Sequence, residues 1–165
     1  MIWTASPSAA QPATETIPEG VSEKAVSKRF HLKVVSVHDG DTITGLNANN
    51  EQVKIRLDAI DAPELKQPYG QAAKKALSDM VFGKDVLLYP KTKDRYGRTV
   101  GHVVVGKKDV NLALLEGGMA WHYTQYDKNK RMGQAEVEAR AAHRGLWQDT
   151  QPVPPWDWRK NAKKK

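Results

Sequence analysis

The sequence contains no cysteine, which removes disulfides, thiol chemistry and thiolate metal sites without separating a cytoplasmic chain from an exported one. Histidine is sparse, and its five copies include no pair at helical ligand spacing, so a zinc site of the usual His or Cys kind is excluded. No window approaches the roughly 20 consecutive apolar residues of a membrane-spanning helix, and no membrane association is expected. No internal repeat is visible. The basic and apolar regions of a complete signal peptide are also missing from the N-terminus. Ser8-Ala9-Ala10 before Gln11 nevertheless resembles a small-residue cleavage site. A shortened export signal, and with it a secreted or periplasmic protein, is the expectation.

What is present fits one domain. With 165 residues, 39% of them apolar, the chain can bury a core without crosslinks. The net charge of +7 is uneven, with −2 over residues 1–27, +5 over 28–150 and +4 over 151–165. A basic body attracts polyanions in a salt-dependent way. Residues 1–27 are rich in Ala, Ser, Thr, Pro and Glu and show no periodicity, so they read as a mobile leader outside the fold. Residues 151–165 form a tail of Pro, Trp and Lys. Its aromatic rings and cations suit stacking on bases and phosphate attraction, but the large area of Trp147, Trp156 and Trp158 favours packing on the body.

Between these ends, strand and helix patterns alternate. Phe30, Leu32 and Val34 alternate, then Val35 and Val37 change register, which suits a bulge in a curved strand. Ile43 lies on a returning strand, and Val53, Ile55 and Leu57 face one way while Lys54 and Arg56 face the other. Tyr69, Ala72, Ala73, Ala76, Leu77, Met80 and Val81 recur at helical spacing before Gly83, a C-terminal stop. Val86 to Tyr89 and Val100 to Val105 predict two further strands. Asp109 caps a short helix through Glu116, and residues 128–144 suit a third helix ended by Gly145. The fold class is α+β, and five strands with about three packed helices are compatible with an OB-fold-like β-barrel.

Three short motifs carry the chemistry: Asp39-Gly40-Asp41-Thr42, Arg56 with Asp61-Ala62-Pro63-Glu64, and Asp94-Arg95-Tyr96-Gly97-Arg98. Asp41 and Asp61 offer hard oxygen donors to a divalent cation, and Glu64 suits handling the proton of an attacking water. A guanidinium presents a permanent charge and a planar fork that matches two phosphate oxygens, so Arg56 and Arg98 suit a phosphodiester. Each motif alone has a plainer reading. Asp39-Gly40 is a common hairpin signal, the acidic residues at 61–64 suit the start of a helix, and an isolated Arg is usually solvated. An EF-hand is excluded, because counting from Asp39 puts Thr44 where glycine is needed and Asn50 where the bidentate Glu belongs. Only the conjunction points to phosphodiester cleavage.

In order and spacing, these motifs resemble those of the staphylococcal nuclease family (micrococcal nuclease, or thermonuclease) over roughly residues 30–147. The resemblance implies an OB-like barrel and a calcium-dependent enzyme that cuts DNA and RNA, leaving 3′-phosphate products. It implies calcium held by Asp41, Asp61 and the Ala62 backbone carbonyl, catalytic roles for Arg56, Glu64 and Arg98, and nucleotide contacts from Arg95 and Tyr96. The family motif often has Thr where Ala62 stands, an exchange that a carbonyl ligand survives. A second nucleotide-contacting tyrosine matches Tyr126, with Tyr123 as the alternative. Whether Glu64 acts as a general base or orients the water is left open by the sequence. A monomer acting on DNA and RNA is expected. The competing readings are a non-catalytic nucleic-acid binding module of the same barrel type and a calcium-binding structural protein, which leaves the paired arginines without purpose.

Overall fold

The computed structural model describes residues 17–163. Its strands are β1 (Phe30–Asp39), β2 (Thr42–Leu46), β3 (Gln52–Leu57), the two-residue β4 (Ile60–Asp61), β5 (Asp85–Lys93), β6 (Thr99–Val105), β7 (Lys108–Asp109) and β8 (Trp121–His122). Its α-helices are α1 (Glu23–Ser27), α2 (Gly70–Val81), α3 (Val110–Glu116), α4 (Lys130–Ala141) and α5 (Pro155–Lys163), with a 3₁₀ turn at Gly145–Gln148.

Strand alternation builds the barrel wall. Leu32 and Val34 of β1 and Ile55 and Leu57 of β3 turn inward and are fully or almost fully buried, each worth about 1.5–3 kcal/mol by removal from water. β1 and β2 form an antiparallel hairpin, and register shifts after Val34 and after Val37 supply the expected irregularity of a curved strand. β2 pairs with β3, β1 with β5 and β5 with β6, all antiparallel. The barrel closes where β6 runs parallel to β3, with Ile55 opposite Thr99 and Leu57 opposite Gly101. This is the expected five-stranded, OB-like α+β barrel.

The buried stripe Ala73, Leu77 and Val81 on α2 follows the helical period and packs on the core. Gly83, at φ +74°, takes the left-handed conformation that ends this helix. α3 begins where the Asp109 carboxylate accepts from the Leu112 amide at 3.1 Å, and α4 where Asn129 does the same for Met132 at 3.1 Å.

Two helices exceed the expected three, one at each end of the chain. The leader expectation does not hold for its last residues: Ser22 caps α1, Ala25 is buried, and Val21, Ala25 and Val26 pack with Tyr89, Leu87 and Val104. One turn of helix is too short to show a period in the sequence. The rest of the leader, residues 1–16, and with it Ser8-Ala9-Ala10, lies outside the described residues. The tail packs on the body, as the large area of its tryptophans favours. Trp156 of α5 packs in the cluster of Trp121, Trp147 and Leu146. Among the described residues, no helix is long and apolar enough to cross a membrane.

Candidate active site

The first carboxylate sits at a turn. Asp39 lies opposite Thr42 in the hairpin register, so Gly40 and Asp41 form a two-residue loop. A Cβ on Gly40 would lie 2.7 Å from the Cβ atoms of both Ala62 and Ala73, so only glycine lets the turn seat against α2 and the Asp61-Ala62 segment. Thus placed, Asp41 accepts at Oδ2 from the Ala62 amide at 2.7 Å and at Oδ1 from the Thr42 hydroxyl at 3.1 Å.

Asp61 is fixed from the other side. β4 pairs with β8, setting Asp61 opposite Trp121. Trp121 in turn meets Trp147 edge-on at 4.6 Å and Trp156 at 5.6 Å, while the Arg140 guanidinium covers the Trp147 face at 4.1 Å. The tryptophan cluster therefore stands directly beside the second carboxylate.

Arg56 joins the two. Its Nη2 lies 3.4 Å from Asp41 and 3.3 Å from Asp61, and its Nη1 donates to the Leu57 and Ile60 carbonyls at 2.6 and 2.8 Å. Four contacts from one guanidinium fix its plane. Although burial works against its charge, Asp41, Asp61 and Asp39 hold Arg56 above its ordinary pKa. Burial likewise pushes Asp61 and Glu64 up, against the opposing pull of Arg159 on each. Asp39 is driven up to about 7 by burial and by the neighbouring Asp41 charge.

Arg98 sits on the loop between β5 and β6. There Asp94 accepts from the Tyr96 and Arg98 amides at 2.9 and 3.0 Å and from Arg98 Nε at 2.7 Å. Slight burial opposes the charge of Asp94, but these amides and the guanidinium hold it below the ordinary carboxylate range. Arg95 donates to the Tyr96 hydroxyl at 2.8 Å, and both Arg95 and Arg98 cover the Tyr96 ring, at 5.0 and 5.3 Å. The register connects this loop to Arg56: Val100 is the partner of Arg56, and Arg98 precedes Val100 by two residues, so the two arginines share a sheet face about 7 Å apart along the strand.

Sequence reasoning missed Arg159. Its Nη1 and Nη2 grip the two oxygens of Asp61 at 3.1 and 2.6 Å, and Nη1 stands 3.5 Å from Glu64. Trp156, three residues earlier, shares its helix face and docks on the tryptophan cluster, which aims Arg159 at Asp61. That spacing was visible in the tail, but its target was not. Trp156 also stacks on Tyr123 at 5.4 Å, and Tyr123 meets Tyr126 edge-on at 4.7 Å. Of the two tyrosines, Tyr123 faces Asp61 and Arg159: burial, with the Asp61 charge, raises its hydroxyl above the ordinary value. Tyr126 is the exposed outer ring.

Among the described residues, no three His, Cys, Asp or Glu side chains converge as a ready metal cage. A set of two carboxylates and the Ala62 carbonyl needs no such trio. Asp41 and Asp61 meet at one nitrogen, Arg56 Nη2, at 3.4 and 3.3 Å, and hard oxygen donors brought this close suit calcium or magnesium. The residues fit such an ion.

Residues 54–149 match the model of the family described as Staphylococcal nuclease homologue. The chain belongs to this family. Among staphylococcal nuclease relatives, an uncharacterized endonuclease of Haemophilus influenzae is 46% identical over 131 residues, covering 79% of this chain and 74% of that protein. An uncharacterized endonuclease of Escherichia coli is 43% identical over 131 residues, 79% of this chain and 85% of its own length. The staphylococcal-like nuclease CAN1 of Arabidopsis thaliana is 37% identical over 164 residues, 91% of this chain but 51% of its own, so this chain spans about half of that relative. Asp41 and Arg159 both lie outside the segment that the family model matches.

Proposed function

We propose that this staphylococcal nuclease homologue is a calcium-dependent, sugar-nonspecific endonuclease that hydrolyses DNA and RNA and leaves 3′-phosphate products. A nuclease function follows from its family and its endonuclease-named relatives; the finer statement rests on the site. The observation that carries it is Arg56 bridging Asp41 and Asp61 with Glu64 alongside.

Asp41, Asp61 and the Ala62 carbonyl would hold calcium, which would supply Lewis-acid neutralisation of the phosphate. Arg56 and Arg98 grip phosphate oxygens through their forks and stabilise the charge that grows as water attacks in line. They accelerate the reaction only insofar as they meet that charge better in the transition state than in the substrate. Glu64, kept more basic than an ordinary carboxylate by burial against the pull of Arg159, accepts a proton from the attacking water or orients it. Arg95 and Tyr96 on the β5–β6 loop, with Tyr126 on the opposite segment, line the nucleotide path. A monomeric state and export to the periplasm or exterior belong to the same proposal, checked by sedimentation and by fractionation of host cells.

The test is cleavage of single-stranded DNA, duplex DNA and RNA in calcium, in magnesium alone and with chelator, with Glu64→Gln alongside. Calcium-dependent degradation that the variant loses supports the assignment. Tight binding without cleavage in either metal refutes it and leaves a non-catalytic nucleic-acid binding module.

A further inference from the structure

We propose that Arg159 is a resident cation of the carboxylate site, competing with the divalent ion for Asp61, so that the C-terminal helix carries a latch on ion binding. The proposal rests on the reading that Asp41 and Asp61 hold calcium. A carboxylate offers about four lone-pair positions. At Asp61, Oδ1 already accepts from Arg56 at 3.3 Å and from Arg159 at 3.1 Å, while Oδ2 accepts from Arg159 at 2.6 Å. Asp41 differs in kind rather than in number, because two of its contacts come from the neutral Ala62 amide and Thr42 hydroxyl and one arginine, Arg56, touches it. An ion seated between the two carboxylates meets Arg159 on both oxygens of Asp61, and because two cations on one carboxylate repel each other, the ion and Arg159 compete for it.

The two arginines differ in their freedom to yield. Arg56 is 14% exposed and pinned by two main-chain carbonyls. Arg159 is 36% exposed and, among the described residues, contacts acidic groups and the neighbouring Tyr123 hydroxyl. Its helix is anchored independently by Trp156, which stacks on Tyr123 and meets Trp121. The guanidinium can consequently leave Asp61 while α5 stays docked. Without the ion, Arg159 supplies the positive charge that keeps a carboxylate only 1% exposed in its place; with the ion, that work passes to calcium.

Calorimetric titration of the full chain with calcium, in the absence of nucleic acid, tests this directly. Arg159→Ala is expected to bind calcium roughly tenfold more tightly than the wild type, the scale of one charge-assisted hydrogen bond. Arg159→Lys, which keeps the charge but cannot take both oxygens, falls between them. Lys160→Ala removes the same charge from an exposed position of the same helix and stays near the wild type. Equal or weaker calcium binding by a folded Arg159→Ala overturns the proposal, as does equal tightening by Lys160→Ala, which is a general charge effect. Weaker binding together with lost turnover would assign Arg159 to the phosphate instead and refute the latch. Asp61→Asn separates the two levels of inference. Binding that Asp61→Asn abolishes but Arg159 leaves unchanged sinks only the latch, whereas no calcium binding by any folded form sinks the calcium reading as well. Circular dichroism establishes folding, and Arg159→Lys carries the test if the alanine variant is unfolded.

Discussion

Asn111 is the polar pin of the barrel closure, and its replacement by Leu is the most demanding test of the fold. The side chain is fully buried. Its Oδ1 accepts from the Val103 amide at 3.1 Å, and its Nδ2 donates to the Asp58 and Gly101 carbonyls at 2.9 and 3.2 Å. These partners lie on β6 and just after β3, where the parallel pairing of Leu57 with Gly101 ends. Leucine keeps the branching and the number of heavy atoms, so the loss is chiefly polar, with a smaller steric cost from its bulkier methyls in a fully buried site. The Asp58 amide donates to the Gly101 carbonyl at 2.9 Å, which leaves that carbonyl partly satisfied. The Val103 amide and the Asp58 carbonyl lose the partners named here. At about 1–3 kcal/mol for each buried group stranded, the expected destabilisation is roughly 3–5 kcal/mol, a large part of the 5–15 kcal/mol that usually holds a domain together. Urea unfolding followed by tryptophan fluorescence and by circular dichroism measures it, with coincident transitions confirming two-state behaviour. Asn111→Asp is expected to be at least as harmful, because it turns a carboxylate toward two carbonyls. A loss below about 1 kcal/mol for Asn111→Leu would show that closure is held by the strand ladder and apolar burial alone, and would refute the reasoning.

Glu64→Gln and Arg98→Ala are each expected to lower kcat by roughly 100-fold or more while shifting stability little; near-normal turnover by either purified variant breaks the site assignment. Asp94→Asn loosens the loop that holds Arg98 and lowers stability near neutral pH. Because the folded pKa of Asp94 is depressed, its contribution is present above the unfolded value of 3.8 and is lost as pH falls through the folded one. The gap between wild type and Asp94→Asn in thermal melts therefore narrows on acidification, and a constant gap excludes the ionised carboxylate as its cause. Trp156→Ala removes the edge-on contact with Trp121 and the stack on Tyr123, with an expected cost of about 2 kcal/mol. An unchanged melting temperature would mean that α5 is not docked in solution.

What the sequence disclosed was whatever a local period or a turn rule encodes. Leu32 and Val34 alternate because a strand has two faces, Ala73, Leu77 and Val81 recur because a helix has a period, and Asp39-Gly40 reads as a turn because few residues fit one. Those rules gave the wall, the central helix and the position of Asp41. They gave nothing for Val21 to Ser27, where one turn of helix derives its order from Tyr89 and Val104 across the chain. Nor could they show the pairing of Ile60 and Asp61 with His122 and Trp121, since two residues carry no period at all.

The pairing of β4 with β8 is also why Arg159 escaped notice. Asp61 and Arg159 stand 98 residues apart, and no local pattern relates them. They meet through a chain of contacts: Asp61 lies opposite Trp121, Trp121 receives Trp156, and Trp156 shares a helix face with Arg159. Each link is short-ranged and ordinary, yet the juxtaposition exists only once all are made. Arg56 was legible by motif as a phosphate-gripping arginine, but its place as the bridge between two carboxylates exists only because the Gly40 turn and β4 converge on it. The catalytic side chains, Arg56 among them, are thus named by motif, whereas Arg159, the further cation on Asp61, is placed by tertiary closure. It follows that truncating the C-terminal helix changes the site itself and not merely a peripheral tail.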